Sequence, residues 1–252
     1  MGIAAELEEV SVQLGPVRIL DSVSLTLEEG AHVGLVGPNG AGKTSLANVL
    51  CGYYHPSGGR VRVFGIDTTR AEPVRIASLG VRRSLQSVGR VRGITALEFL
   101  ELGMETLWPT SMLHTVFGTR AGRRAERSAT RLAASTLREV GLDRFGPVPF
   151  EDCPYGVRKF VDVLRTLVGG GRVAVLDEPT SGLSDGERAQ MLDLLARWMG
   201  ESAMTLLLID HDVSFVRSLC PDMIAIEAGR VLSTGTTSSV LADPAVIHCF
   251  MG

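Results

Sequence analysis

Gly37-Pro38-Asn39-Gly40-Ala41-Gly42-Lys43-Thr44 has the spacing GxxxxGK[ST], the pattern of a loop that cradles phosphate groups. The chemistry follows from the residue types. The glycines permit a tight turn that aims several backbone N–H groups at one point. A helix beginning there adds partial positive charge at the same place. Lys43 is placed to reach the β- and γ-phosphates of ATP, the Thr44 hydroxyl to ligate Mg²⁺, and Ser45 to meet the α-phosphate. The alternative is an ordinary glycine-rich strand–helix turn. The full eight-residue pattern, with a strand before it and a helix after it, argues against that.

Further along, the apolar run Val173-Ala174-Val175-Leu176 ends in Asp177-Glu178-Pro179. In a phosphate-loop ATPase an aspartate at such a strand end holds Mg²⁺, directly or through water. A neighbouring carboxylate can orient and deprotonate the attacking water. Alone, this would read as a surface turn; the phosphate loop upstream makes it a candidate site. The strand at 204–209 ends similarly, in Asp210-His211-Asp212, and His211 is placed for a γ-phosphate contact. Lysine occurs only at 43 and 159, the other basic residues being arginines, so Lys43 stands out.

These groups need a scaffold, and the patterning supplies one. The first thirty residues alternate apolar and polar (Leu7, Val10, Val12; Val23, Leu25, Leu27), the period of half-buried antiparallel strands. A short apolar strand at 31–36 feeds the phosphate loop, and a helix follows with Leu46, Val49 and Leu50 on one side. Residues 60–64 and 80–86 read as strands. From 95 to 167 the pattern is helical, beginning at Ala96, Leu97, Phe99, Leu100 and Leu102. It includes a basic run, Arg120, Arg123, Arg124, Arg127 and Arg131. That run reads as a solvated face, or as a surface facing lipid headgroups or an acidic partner. Strand–helix alternation then resumes: strand 173–176, helix 186–199, strand 204–209, helix 212–219, strands 223–227 and 230–234, helix 236–242. This order predicts an α/β fold with a mostly parallel sheet. The expectation is one domain over 1–252: a core with an antiparallel β subdomain from 1–94 and 168–252, and a helical insertion at 95–167.

Composition excludes several classes. With 252 residues, 45% hydrophobic and 21% charged, the chain is an average globular one, not disordered or collagen-like. A formal net charge of −3 argues against a nucleic-acid partner. No run nears the ~18 apolar residues of a membrane helix, and MGIAAELEEV shows no secretory signal. A mean hydropathy of +0.21 points to a large core or to a surface covered by a partner. Cys51, Cys153, Cys220 and Cys249 form no CxxC pair and no metal spacing, so reduced thiols in a cytosolic protein are expected.

Taken together, these motifs resemble the ATP-binding subunit of ABC transporters, over nearly the whole chain. Gln86 in SLQSV matches the family's Q-loop glutamine, which contacts Mg²⁺ and the attacking water. Pro154-Tyr155-Gly156 with Arg158-Lys159 resembles a variant signature motif, and Ser181-Gly182-Leu183-Ser184 lies where the D-loop falls. Asp177, Glu178 and His211 match the magnesium aspartate, the catalytic glutamate and the switch histidine. The tail GRVLSTG…VLADPAVIHCFMG, the "YG" signature and the long stretch between Gln86 and Pro154 are similar to the branched-chain amino acid importer ATPases.

The resemblance implies an ABC ATPase fold and a mechanism in which two subunits sandwich two ATP molecules. Each site takes its phosphate loop, Asp177, Glu178 and His211 from one subunit and its signature from the other. It also implies membrane permease subunits gripped by the helical insertion and the Gln86 loop, an indirect link to a substrate-binding protein, and a place on the cytoplasmic face of the membrane. Urea or short-chain amide importers, lipid exporters, a regulatory subunit without turnover, and a soluble ABC protein acting on ribosomes or DNA are the alternatives.

Four positions depart from the family's pattern. Leu14 stands where an aromatic ring usually stacks on adenine; it covers the base without a π-face. Pro154 replaces the signature serine, losing hydroxyl and N–H, and Val157 replaces the usual glutamine. Ser184, followed by Asp185, stands at the D-loop aspartate. These changes fall mostly in parts offered to the opposite site, which suits pairing with a different ABC subunit, though a homodimer remains open.

Overall fold

The computed structural model describes residues 2–104 and 120–251. The N-terminal alternation folds as expected. Strands β1 (Ile3–Leu14) and β2 (Val17–Glu28) form an antiparallel hairpin turned at Gly15-Pro16. β4 (Gly58–Val63) and β5 (Ile66–Asp67) extend it into a four-stranded antiparallel sheet, ordered β2-β1-β4-β5.

A second sheet, ordered β10-β9-β3-β8-β7-β6, is built from β3 (His32–Val36), β6 (Val81–Arg83), β7 (Val173–Asp177), β8 (Thr205–Ile209), β9 (Asp222–Glu227) and β10 (Arg230–Thr236). All neighbours pair in parallel except β10, which runs antiparallel to β9 at the edge. β7 and β8 are buried at every position, the continuous apolar pattern of strands covered on both faces.

Successive residues of these strands point to opposite faces and so build two cores. Val173, Val175, Leu207 and Ile209 join the antiparallel sheet and helix α1 (Lys43–Leu50), through Leu7, Leu20, Leu27, Leu46 and Leu50. Ala174, Leu176, Leu206 and Leu208 face the other way. They meet α3 (Ala96–Leu102), α4 (Arg120–Glu139), α5 (Tyr155–Val168) and α6 (Asp185–Glu201), through Phe99, Leu100, Leu137, Phe150, Leu164 and Leu195. The described part of the helical stretch therefore shares a core with the sheet. Short helices α2 (Pro73–Ser78), α7 (Val213–Leu219), α8 (Thr237–Leu241) and α9 (Pro244–Met251) complete the chain. None of the described helices is long and apolar enough to cross a membrane.

The structure corrects two expectations. The strand expected over 80–86 ends at Arg83. Beyond it, Ser84 still bonds to Val175 O, but Leu85 N turns to the Asp162 carboxylate of α5 instead of the ladder. The helical stretch is not continuous either. A Thr95/Glu98 capping box starts α3. Gly141, with a left-handed φ of 71°, follows α4, and 3₁₀ turns at Asp143–Phe145 and Phe150–Asp152 lead into α5. Residues 105–119 of that stretch lie outside the described ones. Helices α2 and α9 lie where the sequence reading assigned no element.

Phe150 is fully buried, and its ring lies 4.2 Å from that of Phe99. Phe150→Ala is expected to destabilise the chain by about 3–5 kcal/mol, measured by urea denaturation.

Candidate functional site

Parallel strands β3, β7 and β8 all end on the same edge of the sheet, where open α/β sheets place their ligands. Ile209 pairs with both Leu35 and Asp177. That register sets Val36, Asp210 and Glu178 in the next row, with Gly37 one residue beyond Val36.

The phosphate loop leaves β3 at Gly37. A Cβ there would stand 2.1 Å from Ile226 O, so only glycine fits. Gly42, in a left-handed conformation at φ 105°, precedes α1, and no side chain caps that helix. Its first N–H groups thus point into the loop, which suits an anion. Lys43 is 6% exposed, and its Nζ donates to Gly37 O (2.6 Å) and Pro38 O (2.8 Å), spanning the loop. Burial pushes its ammonium down from the ordinary lysine range, while Glu178, Asp177 and Asp210 pull it back. The three carboxylates therefore lie near the Lys43 ammonium. Pro38, Asn39, Gly40, Thr44 and Ser45 are partly or fully exposed along the loop and the helix start, whereas Ala41 is buried.

Asp177 ends β7 almost fully buried. Its Oδ2 accepts from an Arg83 guanidinium nitrogen at 2.8 Å, and its N–H donates to Ser84 Oγ at 2.9 Å. Arg83 also donates to Asn48 Oδ1 of α1. Glu178 follows with a left-handed φ of 51°, a strained conformation for a residue that also precedes proline. Three hydrogen bonds hold it. Its N–H donates to Ile209 O (2.7 Å), and its carbonyl accepts from Lys159 Nζ (2.8 Å) and Ser181 N (3.2 Å). Asp210 is fully buried and accepts from Thr180 Oγ1 at 2.6 Å and Asp212 N at 3.0 Å. His211 Nδ1 lies 3.4 Å from Asp210 Oδ1, with half the imidazole in solvent.

Gln86 is exposed, three residues past Arg83, which pairs with Val175 on β7. Leu14, 45% exposed, ends β1 at the hairpin turn. The other arm of that hairpin overlies the phosphate loop, since a Cβ on Gly42 would lie 2.9 Å from Leu20 Cδ2. Pro154 and Tyr155 are exposed and Gly156 buried at the start of α5. Their described neighbours are the loop after β7 and the start of α6. A Cβ on Gly182 would stand 2.8 Å from Tyr155 Cε1, and one on Gly156 2.0 Å from Glu187 Oε1. The structure thus gathers the loop, Asp177, Glu178 and His211 in one place, and Pro154 to Gly156 beside Gly182 and Ser184.

Sequence reasoning set Lys159 in the variant signature without a hydrogen-bond partner, and assigned no role to Arg83, Asp162, Thr180 or Asp210. Asp162, 1% exposed, accepts from Leu85 N at 2.7 Å and pairs with Arg165 at 2.8 Å; Arg165 in turn donates to Arg83 O at 2.9 Å. Burial pushes the Asp162 carboxyl up and Arg165 draws it back. The scarcity of lysine and the variant signature were the sequence signals for Lys159; the others are common residues, each with a partner far along the chain.

The donor set suits Mg²⁺. Among the described residues there is no group of three or more His, Cys, Asp or Glu that could hold a metal ion. Mg²⁺ typically takes one or two protein oxygens and completes its shell with phosphate and water, and Thr44 and Asp177 offer such oxygens beside the loop.

Residues 20–181 match the family model described as "ABC transporter". The chain is 34% identical over 247 residues to the high-affinity branched-chain amino acid transport ATP-binding protein BraF of Pseudomonas aeruginosa, covering 98% of this chain and 97% of that protein. It is 30% identical over 241 residues to LivG of Escherichia coli K12, described in the same words, covering 96% and 94%. Among solved structures, a nucleotide-free ATP-binding cassette from an ABC transporter superposes with a TM-score of 0.82 at 25% identity, covering 99% of each chain.

Lys43→Met is expected to leave the melting temperature of the ligand-free chain unchanged or raised, because a desolvated ammonium is removed. It should abolish the rise in melting temperature that ATP produces. Thermal unfolding with and without ATP checks both.

Proposed function

The chain belongs to the ABC transporter family, and from that premise we propose that it is the ATP-binding and hydrolysing subunit of an importer for branched-chain or related amino acids. The observation that carries the reading is the convergence of the phosphate loop, Asp177, Glu178 and His211 at one sheet edge. It is supported by likeness to BraF over 98% of the chain.

In this reading the loop N–H groups from Gly37 to Ser45 and the Lys43 ammonium hold the phosphates, and Leu14 covers adenine. Thr44, Asp177 and Gln86 hold Mg²⁺, which when bound neutralises charge on the β- and γ-phosphates. Glu178 takes a proton from the water that attacks the γ-phosphorus. The bond to the bridging oxygen breaks, and ADP leaves with that electron pair. His211 steadies the γ-phosphate oxygens. The strained backbone at Glu178, fixed through Lys159 and Ile209, sets the position from which the carboxylate extends. Pro154, Tyr155 and Gly156 serve the nucleotide of a second ABC subunit across an ATP sandwich. The single domain, with its helical insertion at 95–167, and the Gln86 loop grip membrane permease subunits on the cytoplasmic face. A substrate-binding protein acts further upstream.

Glu178→Gln is expected to lower ATP hydrolysis by at least about 100-fold while ATP still binds. Light scattering on that variant then reads the partner: mass unchanged by ATP and Mg²⁺ is expected for a chain whose signature needs a different ABC subunit, and a doubled mass would mean a homodimer. Unchanged turnover in Glu178→Gln would remove the catalytic assignment.

A further inference from the structure

Helix α4 carries Arg123, Arg124, Arg127, Arg131 and Arg138. At about 100° per residue, these five fall within about 100° of the helix circumference and run for roughly 22 Å. All five are exposed. The opposite side of the helix packs inward through Ala133, Thr136 and Leu137 and meets α3. Glu126 and Glu139 lie outside the stripe. Among the described residues no carboxylate pairs with Arg124, Arg127, Arg131 or Arg138; Arg131 instead donates to Arg127 O. In a chain of net charge −3, this is a segregated band of positive charge, four of whose five arginines pair with no carboxylate among the described residues.

We propose that this stripe docks onto the phosphate headgroups of an anionic bilayer surface. The inference rests on the proposed place of the chain beneath a membrane transporter. Guanidinium groups match phosphate oxygens in a two-pronged geometry, and a row of them suits a flat, diffuse negative surface. A protein partner is less well matched. Ala134 shares the stripe, but the stripe has no aromatic or large apolar side chain to anchor a protein interface. It also has none to insert among acyl chains, so the contact is with headgroups alone. The position agrees, because α4 packs on α3, which begins ten residues after Gln86 in the subdomain read as meeting the membrane subunits.

The test is co-sedimentation of the full chain with vesicles of phosphatidylcholine, alone or mixed with phosphatidylglycerol. The wild type should pellet with the mixed vesicles only, and less as salt shortens the Debye length. The triple variant Arg124→Gln, Arg127→Gln, Arg131→Gln should bind at least about tenfold more weakly. Its lysine counterpart should bind like the wild type. Circular dichroism shows that α4 is intact, and ATP hydrolysis should be unchanged in both variants, so loss of the ATPase reading would be seen separately. Equal binding to both vesicle types, binding to neither, a glutamine variant that binds normally, or a lysine variant that fails would each overturn the proposal. Binding to neither, with the stripe still required for assembly with permease subunits, would assign it to an acidic protein partner instead.

Discussion

The site depends on the register of three parallel strands. Leu35, Asp177 and Ile209 lie in one row across β3, β7 and β8. Everything that handles phosphate hangs from the residues just past that row. A slip of one residue in β7 would turn the Asp177 carboxylate to the opposite face. The slip is opposed by the strict alternation of Val173 and Val175 into one core and Ala174 and Leu176 into the other. The apolar strand interior and the chemistry at its end are thus one constraint.

Around this row the chain places buried polar struts. Arg83 joins Asp177 to Asn48 of α1. Asp162 and Arg165 hold the backbone of residues 83–85 from α5, and Lys159, one turn into the same helix, holds the Glu178 carbonyl. The helix that begins with Pro154-Tyr155-Gly156 is therefore tied to the segment leading to Gln86 and to the strand end bearing both carboxylates. A shift of α5 would move all of these. Buried pairs of this kind contribute little net stability but strongly disfavour alternative arrangements once one partner is fixed, which suits elements that must move together.

Two kinds of arginine follow from one composition. Arg83 and Arg165 are largely buried and paired with Asp177 and Asp162. Those of α4 are exposed on a single helix face. Spacing alone marks out the second group, since positions four and seven apart share a helix face. Of the first, only Arg165 carries a local mark, its i,i+3 spacing from Asp162; Arg83 reaches a partner 94 residues away.

The phosphate loop, the Asp177-Glu178 pair and His211 were legible because their chemistry requires particular residue types at short, fixed spacings. The strand order was legible in outline from alternation and apolar runs. The breaks in the helical stretch were marked by Gly141, Gly146, Pro147 and Pro149, which the helical reading of 95–167 passed over. Arg83, Asp162, Lys159, Thr180 and Asp210 could not be assigned, since each acts through a partner between 19 and 94 residues away. The sequence by itself determined which residue types stand in the phosphate loop and at the strand ends. Only the tertiary structure decided how they are aimed, because aim depends on buried hydrogen bonds between distant segments, and such bonds exist only once the sheet register has brought those segments together.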